Sequence, residues 1–226
     1  MIKKAARTPE TGSAQPPAHE LVYQALRERL LFGELAPGQA VTIQGLTRTV
    51  AAGMTPVREA IRRLTSDGAL VFQGNRRVSV PKLTVEDLDQ IVFLRQTIES
   101  DLTRRATGRM SAATVAVLER IDGVLDRAIE QGDVTGYLVQ NYRFHATLYA
   151  EADAPILAEM ADRLWLRFGP SLRVVCGRFG TQNLPDRHKD LLEALRRRDP
   201  EAAALAMHND VAQGMEQVAA VLAGLD

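Results

Sequence analysis

Apolar positions recur at helical spacing along most of this 226-residue chain, with one short interruption. From His19 to Phe32, Leu21, Val22, Ala25, Leu26, Leu30 and Leu31 predict an amphipathic helix that Gly33 ends. Glu34 to Gln39 holds a Pro-Gly turn, and Ile43 to Val50 reads as a second short helix. Ala51, Ala52 and Gly53 lead tightly into a third, whose apolar face is Val57, Ala60, Ile61 and Leu64. Thr55 is placed to cap it and Pro56 to occupy its first position, where no backbone donor is needed. After Asp67 and Gly68 the period changes. Ala69 to Gln73 reads as a strand, Gly74 and Asn75 as a turn, and Arg76 to Val80 as a returning strand with alternating Val78 and Val80. Three helices and a β-hairpin make a winged helix-turn-helix over residues 18–80.

Helical periodicity then resumes to the end. The segments are Leu83 to Thr107, Ser111 to Gln131, Asp133 to Glu151, Pro155 to about Cys176, Pro185 to Arg198 and Pro200 to Leu225. Thr84, Ser111, Asp133, Asp153 and Asp199 mark starts. Gly108, Gly132, the turn from Ala152 to Pro155, Gly180 and Pro200 mark breaks. The fold class is therefore mainly α: a winged helix-turn-helix followed by an all-α antiparallel bundle over residues 81–226, with room for a site between helices. Residues 1–17 are polar and proline-rich and read as a flexible tail.

Charge separates the two parts. Residues 1–80 carry 11 Lys+Arg against 6 Asp+Glu, and residues 81–226 carry 17 against 22, although the chain as a whole is neutral. A basic head attracts phosphate backbone. Arg58, Arg62 and Arg63 lie outside the apolar stripe of the third helix, so it has a buried back and a cationic front, as a major-groove reading helix requires. The hairpin tip adds Gly74, Asn75, Arg76 and Arg77. The single Cys176 allows no internal disulfide, and no apolar run reaches the length of a membrane span. A cytoplasmic protein is expected.

Three of the four histidines fall in the bundle, each near an apolar stripe. His145 accompanies Leu138, Leu148 and Tyr149, with Asn141 one turn earlier. His188 accompanies Leu191, Leu192 and Leu195. His208 precedes Val211, Met215 and Val218. One such histidine is an ordinary core residue, whereas three pointing into one bundle make a candidate metal site. Arg95 interrupts the stripe of Leu88, Ile91, Ile98 and Leu102. A guanidinium there needs a partner, either Glu99 four residues on or the carboxylate of a ligand. Arg143 is a weaker anion candidate, and Trp165 lines the pocket or packs in the core.

These segments resemble a known family. The runs Gly33 to Gly38, Thr55 to Leu64 and Asp67 to Leu70 look like the signature of GntR-type bacterial transcription regulators. The runs Asn141 to His145, Arg187 to Leu192 and Ala206 to His208 look like the metal-site segments of the FadR-like effector domain called FCD. The resemblance implies a homodimer on double-stranded operator DNA, without enzymatic activity. Its DNA contacts would be Thr55, Pro56, Arg58 and Arg62, with Gln44 and Arg48 of the second helix and Gly74, Asn75 and Arg76 of the hairpin tip. It also implies a divalent metal, zinc above others, on Asn141, His145, His188 and His208. Those four residues and Arg95 would bind a small organic acid.

Three departures from the family pattern stand out. Gly53 and Met54 replace the usual Ser-Arg or Thr-Arg, Gln44 stands where some members have an arginine, and Asn141 replaces the usual acidic ligand. A neutral ligand would leave the metal site nearer +2 than +1, weakening metal binding and favouring an anion. A metal-free anion site, a metal-dependent enzyme of the bundle, and a regulator that has lost sensing are the alternatives at this point.

Overall fold

The computed structural model describes residues 16–73, 77–179 and 187–224. The head begins with α1 (Ala18–Leu31), β1 (Ala40–Val41), α2 (Ile43–Thr49) and α3 (Met54–Ser66), and ends with β2 (Val71–Gln73) and β3 (Arg77–Ser79). Leu26, Leu30, Val57, Ile61, Leu64 and Leu70 form its core. Gly33 ends α1 at φ +66°, a conformation in which glycine meets no Cβ penalty. Thr42 caps α2 through the Gly45 amide at 3.0 Å.

Two local expectations are corrected here. Thr55 does not cap α3. The cap position is Gly53, without a side-chain bond, and Pro56 sits third in the helix. Proline is tolerated there because the first-turn amides have no carbonyl partner within the helix. The wing also has a third strand. β1 pairs antiparallel with β3, giving the order β1-β3-β2 with Val41 opposite Val78 and Phe72 also opposite Val78. Two residues are too short to show periodicity. The hairpin tip, Gly74, Asn75 and Arg76, lies outside the described residues.

The bundle consists of α4 (Val85–Arg109), α5 (Ala112–Gln131), α6 (Val134–Ala150), α7 (Pro155–Phe179), α8 (His188–Arg197) and α9 (Pro200–Ala223). Its starts are chemically explicit. Thr84 accepts from the Asp87 amide while Asp87 accepts from the Thr84 amide, each at 3.1 Å, a reciprocal capping box. Ser111, Asp133 and Asp199 cap α5, α6 and α9. Gly108 does not break α4, which runs one residue past it to a cap at Met110. A single glycine weakens a helix by about 1 kcal/mol, less than the burial of its neighbours recovers. The expected break at Gly180 and the expected start at Pro185 lie outside the described residues.

The head sits against the bundle through α1. Arg27 donates to the Tyr142 hydroxyl at 2.6 Å and to Asp162, and Tyr142 donates to the same Asp162 oxygen at 2.7 Å. Gly169 of α7 lies against the end of α1, where a Cβ would stand 2.6 Å from the Leu31 carbonyl oxygen. Tyr142 is one residue from Asn141, so this joint borders the bundle cavity.

Candidate functional site

Helix α3 presents Thr55, Arg58, Arg62 and Arg63 to solvent, while Val57, Ala60, Ile61 and Leu64 are buried behind them. The arginines are not equivalent. Arg63 is drawn back to α1, paired with Glu20 at 2.7 Å and stacked 3.6 Å from the Tyr23 ring centroid. Arg62 pairs with exposed Glu59 at 2.7 Å, a bond worth little in water. Arg58 is exposed and has no ion-pair partner among the described residues. Gln44 and Arg48 of α2 are exposed as well. Arg58→Ala should therefore weaken binding to a cognate operator by about 1–3 kcal/mol if Arg58 reads a base. Arg63→Ala should weaken it less. Fluorescence anisotropy on one labelled operator compares the two.

In the bundle, α6, α8 and α9 converge on one point. His145 Nε2 lies 3.4 Å from His188 Nε2 and 3.4 Å from Asp210 Oδ2. Both imidazoles are buried. Surrounding groups fix which ring nitrogens face inward. Tyr149 has one hydroxyl proton, and it goes to Glu99 Oε2 at 2.6 Å. Its oxygen therefore accepts from His145 Nδ1 at 3.0 Å, leaving a lone pair on His145 Nε2. His188 Nδ1 meets the Asp122 carboxylate at 3.2 Å, which likewise turns the lone pair of His188 Nε2 inward. Phe144 stacks on the His188 ring at 3.9 Å and holds its plane. Lys189, next in α8, pairs with Asp122 and with Asp126.

Two lone pairs and a carboxylate oxygen facing one another repel unless a positive charge lies between them. Zinc bonded at about 2.0–2.1 Å in tetrahedral geometry holds its ligand atoms about 3.3–3.4 Å apart, which is the spacing from His145 Nε2 to each of the other two atoms. The electrostatics agree. Burial pushes His145 below the ordinary histidine range, against the pull of Asp210, so the neutral ligand form is favoured. Burial works against the Asp210 carboxylate, but the neighbouring His145 and His188 imidazoles and the Arg95 guanidinium hold it below its ordinary value.

Three expected residues change role. His208 is exposed and is not part of the cluster. The buried face of α9 runs through Ala203, Met207, Val211, Met215 and Val218, which turns His208 outward and brings Asp210 in. Asn141 lines the cavity, but the acid beside the two histidines is Asp210, so a divalent ion held there would stand nearer +1 than +2. Arg95 is not waiting for a ligand alone. It grips Glu99 with two bonds, 2.6 and 3.0 Å, between the rings of Trp165 and Phe168. Among the described residues its remaining Nη1 meets the weakly accepting sulfur of Met215, at 3.3 Å, at the cavity wall. Arg143 is exposed, whereas Trp165 is both buried and part of the wall.

The cavity also touches Tyr137, Leu172 and Gly214, and its free volume is about 40 Å³. One water occupies roughly 10–15 Å³ on that scale, so there is room for an ion and a ligand of a few atoms. Asp210, Asp122, Glu99 and Tyr149 were missed as site residues. The signal for the acids was present: Asp122 sits within the stripe of Leu118, Ile121 and Leu125, and Asp210 adjoins Val211.

Residues 18–80 match the gntR family of bacterial regulatory proteins, and residues 90–213 match the FCD domain. The HTH-type transcriptional regulator McbR of Escherichia coli K12 is 30% identical over 200 residues, 87% of this chain and 89% of that protein. The HTH-type transcriptional repressor RspR of the same organism is 25% identical over 206 residues, 89% of each. The structure of E. coli McbR superposes with a TM-score of 0.83 at 28% identity, covering 93% of this chain and 99% of that one. A GntR regulator from Rhodococcus sp. RHA1 shares the fold, with a TM-score of 0.71 at 21% identity over 92% and 98% of the two chains.

Proposed function

Because this chain belongs to the gntR family of bacterial regulators and carries an FCD domain, a DNA-binding transcriptional regulator and not an enzyme, we propose that its bundle senses a small organic acid through a bound divalent metal. The metal is held by His145, His188 and Asp210, with Asn141 beside it. Zinc suits two imidazoles, a carboxylate and an open position. The acid takes that open position, and Arg95 Nη1 at the wall donates to its second oxygen. The regulator acts in the cytoplasm as a homodimer that presents two α3 helices to a palindromic operator, and it represses until the acid binds. Relatives named as repressors support that sense of control. Among the described residues no helix is long and apolar enough to cross a membrane.

The observation that carries this reading is the inward convergence of two histidine lone pairs and the Asp210 carboxylate at metal-ligand spacing. The α1 joint supplies the route to the head, since Arg27 binds Tyr142 next to Asn141 and the Tyr142 ring meets Trp165 at the cavity wall. Linkage tests it. An acid that stabilises the zinc-loaded protein should weaken operator binding, and operator DNA should weaken binding of the acid by the same factor. If a panel of small carboxylic acids neither stabilises the protein nor moves operator affinity, and stripping metal changes nothing, the reading fails.

A further inference from the structure

A second and larger cavity lies where the head meets the bundle. Its volume is about 690 Å³, within the range of about 300–1,000 Å³ typical of small-molecule pockets. The bundle contributes an aliphatic wall, Val174 and Val175 of α7 with Val218, Val221 and Leu222 of α9. The head contributes the turn at Ala36 and Pro37, and the linker contributes Leu83. Turn and linker are tied together, since the Gly38 amide donates to the Val80 carbonyl at 2.9 Å and the Val80 amide to the Gln39 carbonyl at 3.0 Å. Val85 and Val174 are left 53% and 39% exposed, and no aromatic ring is among the described residues of the lining.

The polar groups of this cavity are mostly donors. Lys82 is exposed, lines the cavity and has no ion-pair partner among the described residues. Gly38 makes room for its stem, because an added Cβ there would overlap the Lys82 side chain. Helix α4 starts at the same place, and the Val85 and Glu86 amides of its first turn have no carbonyl partner within the helix. Ser171 is 6% exposed and lines the cavity, yet its hydroxyl has no hydrogen-bond partner among the described residues. A polar group left so is costly, and a ligand that bonds it recovers that cost. The one opposing charge in the described lining is Glu86. We propose that this junction is a second ligand site, distinct from the metal cavity, that takes an aliphatic carboxylate. The hydrocarbon chain lies along the valines, and the carboxylate meets Lys82 and the start of α4. The two sites are neighbours on the same helices. Phe168 and Leu172 of α7 and Val211 and Met215 of α9 line the metal cavity, and the residues that follow them line the junction. A ligand here touches head and bundle together, so its binding bears on how the head sits without using the metal.

The test is isothermal titration calorimetry of the full-length protein with sodium octanoate. One octanoate should bind per chain. Lys82→Gln should weaken it at least tenfold, Glu86→Gln should tighten it, and Val174→Trp should block it with unchanged helical circular dichroism. 1-Octanol, which has the chain without the charge, should bind at least tenfold more weakly. His188→Ala, which disables the metal cavity, should bind octanoate as the wild type does. Saturating octanoate should change operator affinity at least threefold in the wild type and leave Val174→Trp unaffected. No binding to the wild type, or equal affinity in Lys82→Gln, would overturn the site. Loss of binding in His188→Ala would overturn it too, by placing the acid in the metal cavity, whereas a metal-free protein that still binds octanoate would overturn only the metal reading.

Discussion

Glu99→Ala should destabilise the protein by about 3–5 kcal/mol, because it leaves a buried guanidinium without its counter-ion. Glu99 is fully buried and Arg95 is 4% exposed. Two short bonds join them, and Glu99 also accepts from Tyr149. A guanidinium holds its proton even when buried, so Arg95 will not escape the penalty by deprotonating once Glu99 is gone. The cost belongs to the unpaired charge rather than to the pair. Changing both residues to leucine should therefore cost less than Glu99→Ala alone, apart from the stranded Tyr149 hydroxyl. Urea unfolding of both variants measures this. Equal stability of Glu99→Ala and wild type would mean that Arg95 finds another acceptor, and that its environment is wetter than the packing of Trp165 and Phe168 implies.

His145→Ala and His188→Ala should each abolish stoichiometric metal binding, and His208→Ala should leave it intact. Each of the first two removes one of the three proposed ligands, while the exposed His208 is outside the cluster. The outer contacts should matter in smaller degree. Tyr149→Phe frees the His145 ring and Asp122→Asn weakens the orientation of His188, each costing about 10–100-fold in metal affinity. Competition with a chromogenic zinc chelator ranks all five proteins. Loss of metal in His208→Ala with retention in His188→Ala would invert the assignment of the site.

Much of this was legible in the chain. The stripe of Val57, Ala60, Ile61 and Leu64 placed α3 and its cationic front, and Thr84, Ser111, Asp133 and Asp199 placed four helix starts, because capping is local chemistry. The errors came where a local pattern met a tertiary choice. His208 and Met207 fit almost the same helical stripe, and only packing against α4 and α8 decides that Met207 is buried and Asp210 turned inward. The Arg95 and Glu99 pairing was one of two open readings, and spacing alone does not separate a structural pair from a ligand grip. β1 has two residues and gains its identity from β3, 37 to 39 residues away. Asp122 was readable as an acid in an apolar stripe, by the reasoning that singled out Arg95.

The most direct test of the metal-sensing account is anomalous diffraction at the zinc edge from crystals of the full-length protein grown without added metal. The expected result is one peak per chain about 2.0–2.2 Å from His145 Nε2, His188 Nε2 and an Asp210 oxygen, with a further ligand facing Arg95. A cavity without a peak, or a peak held by His208, would contradict it.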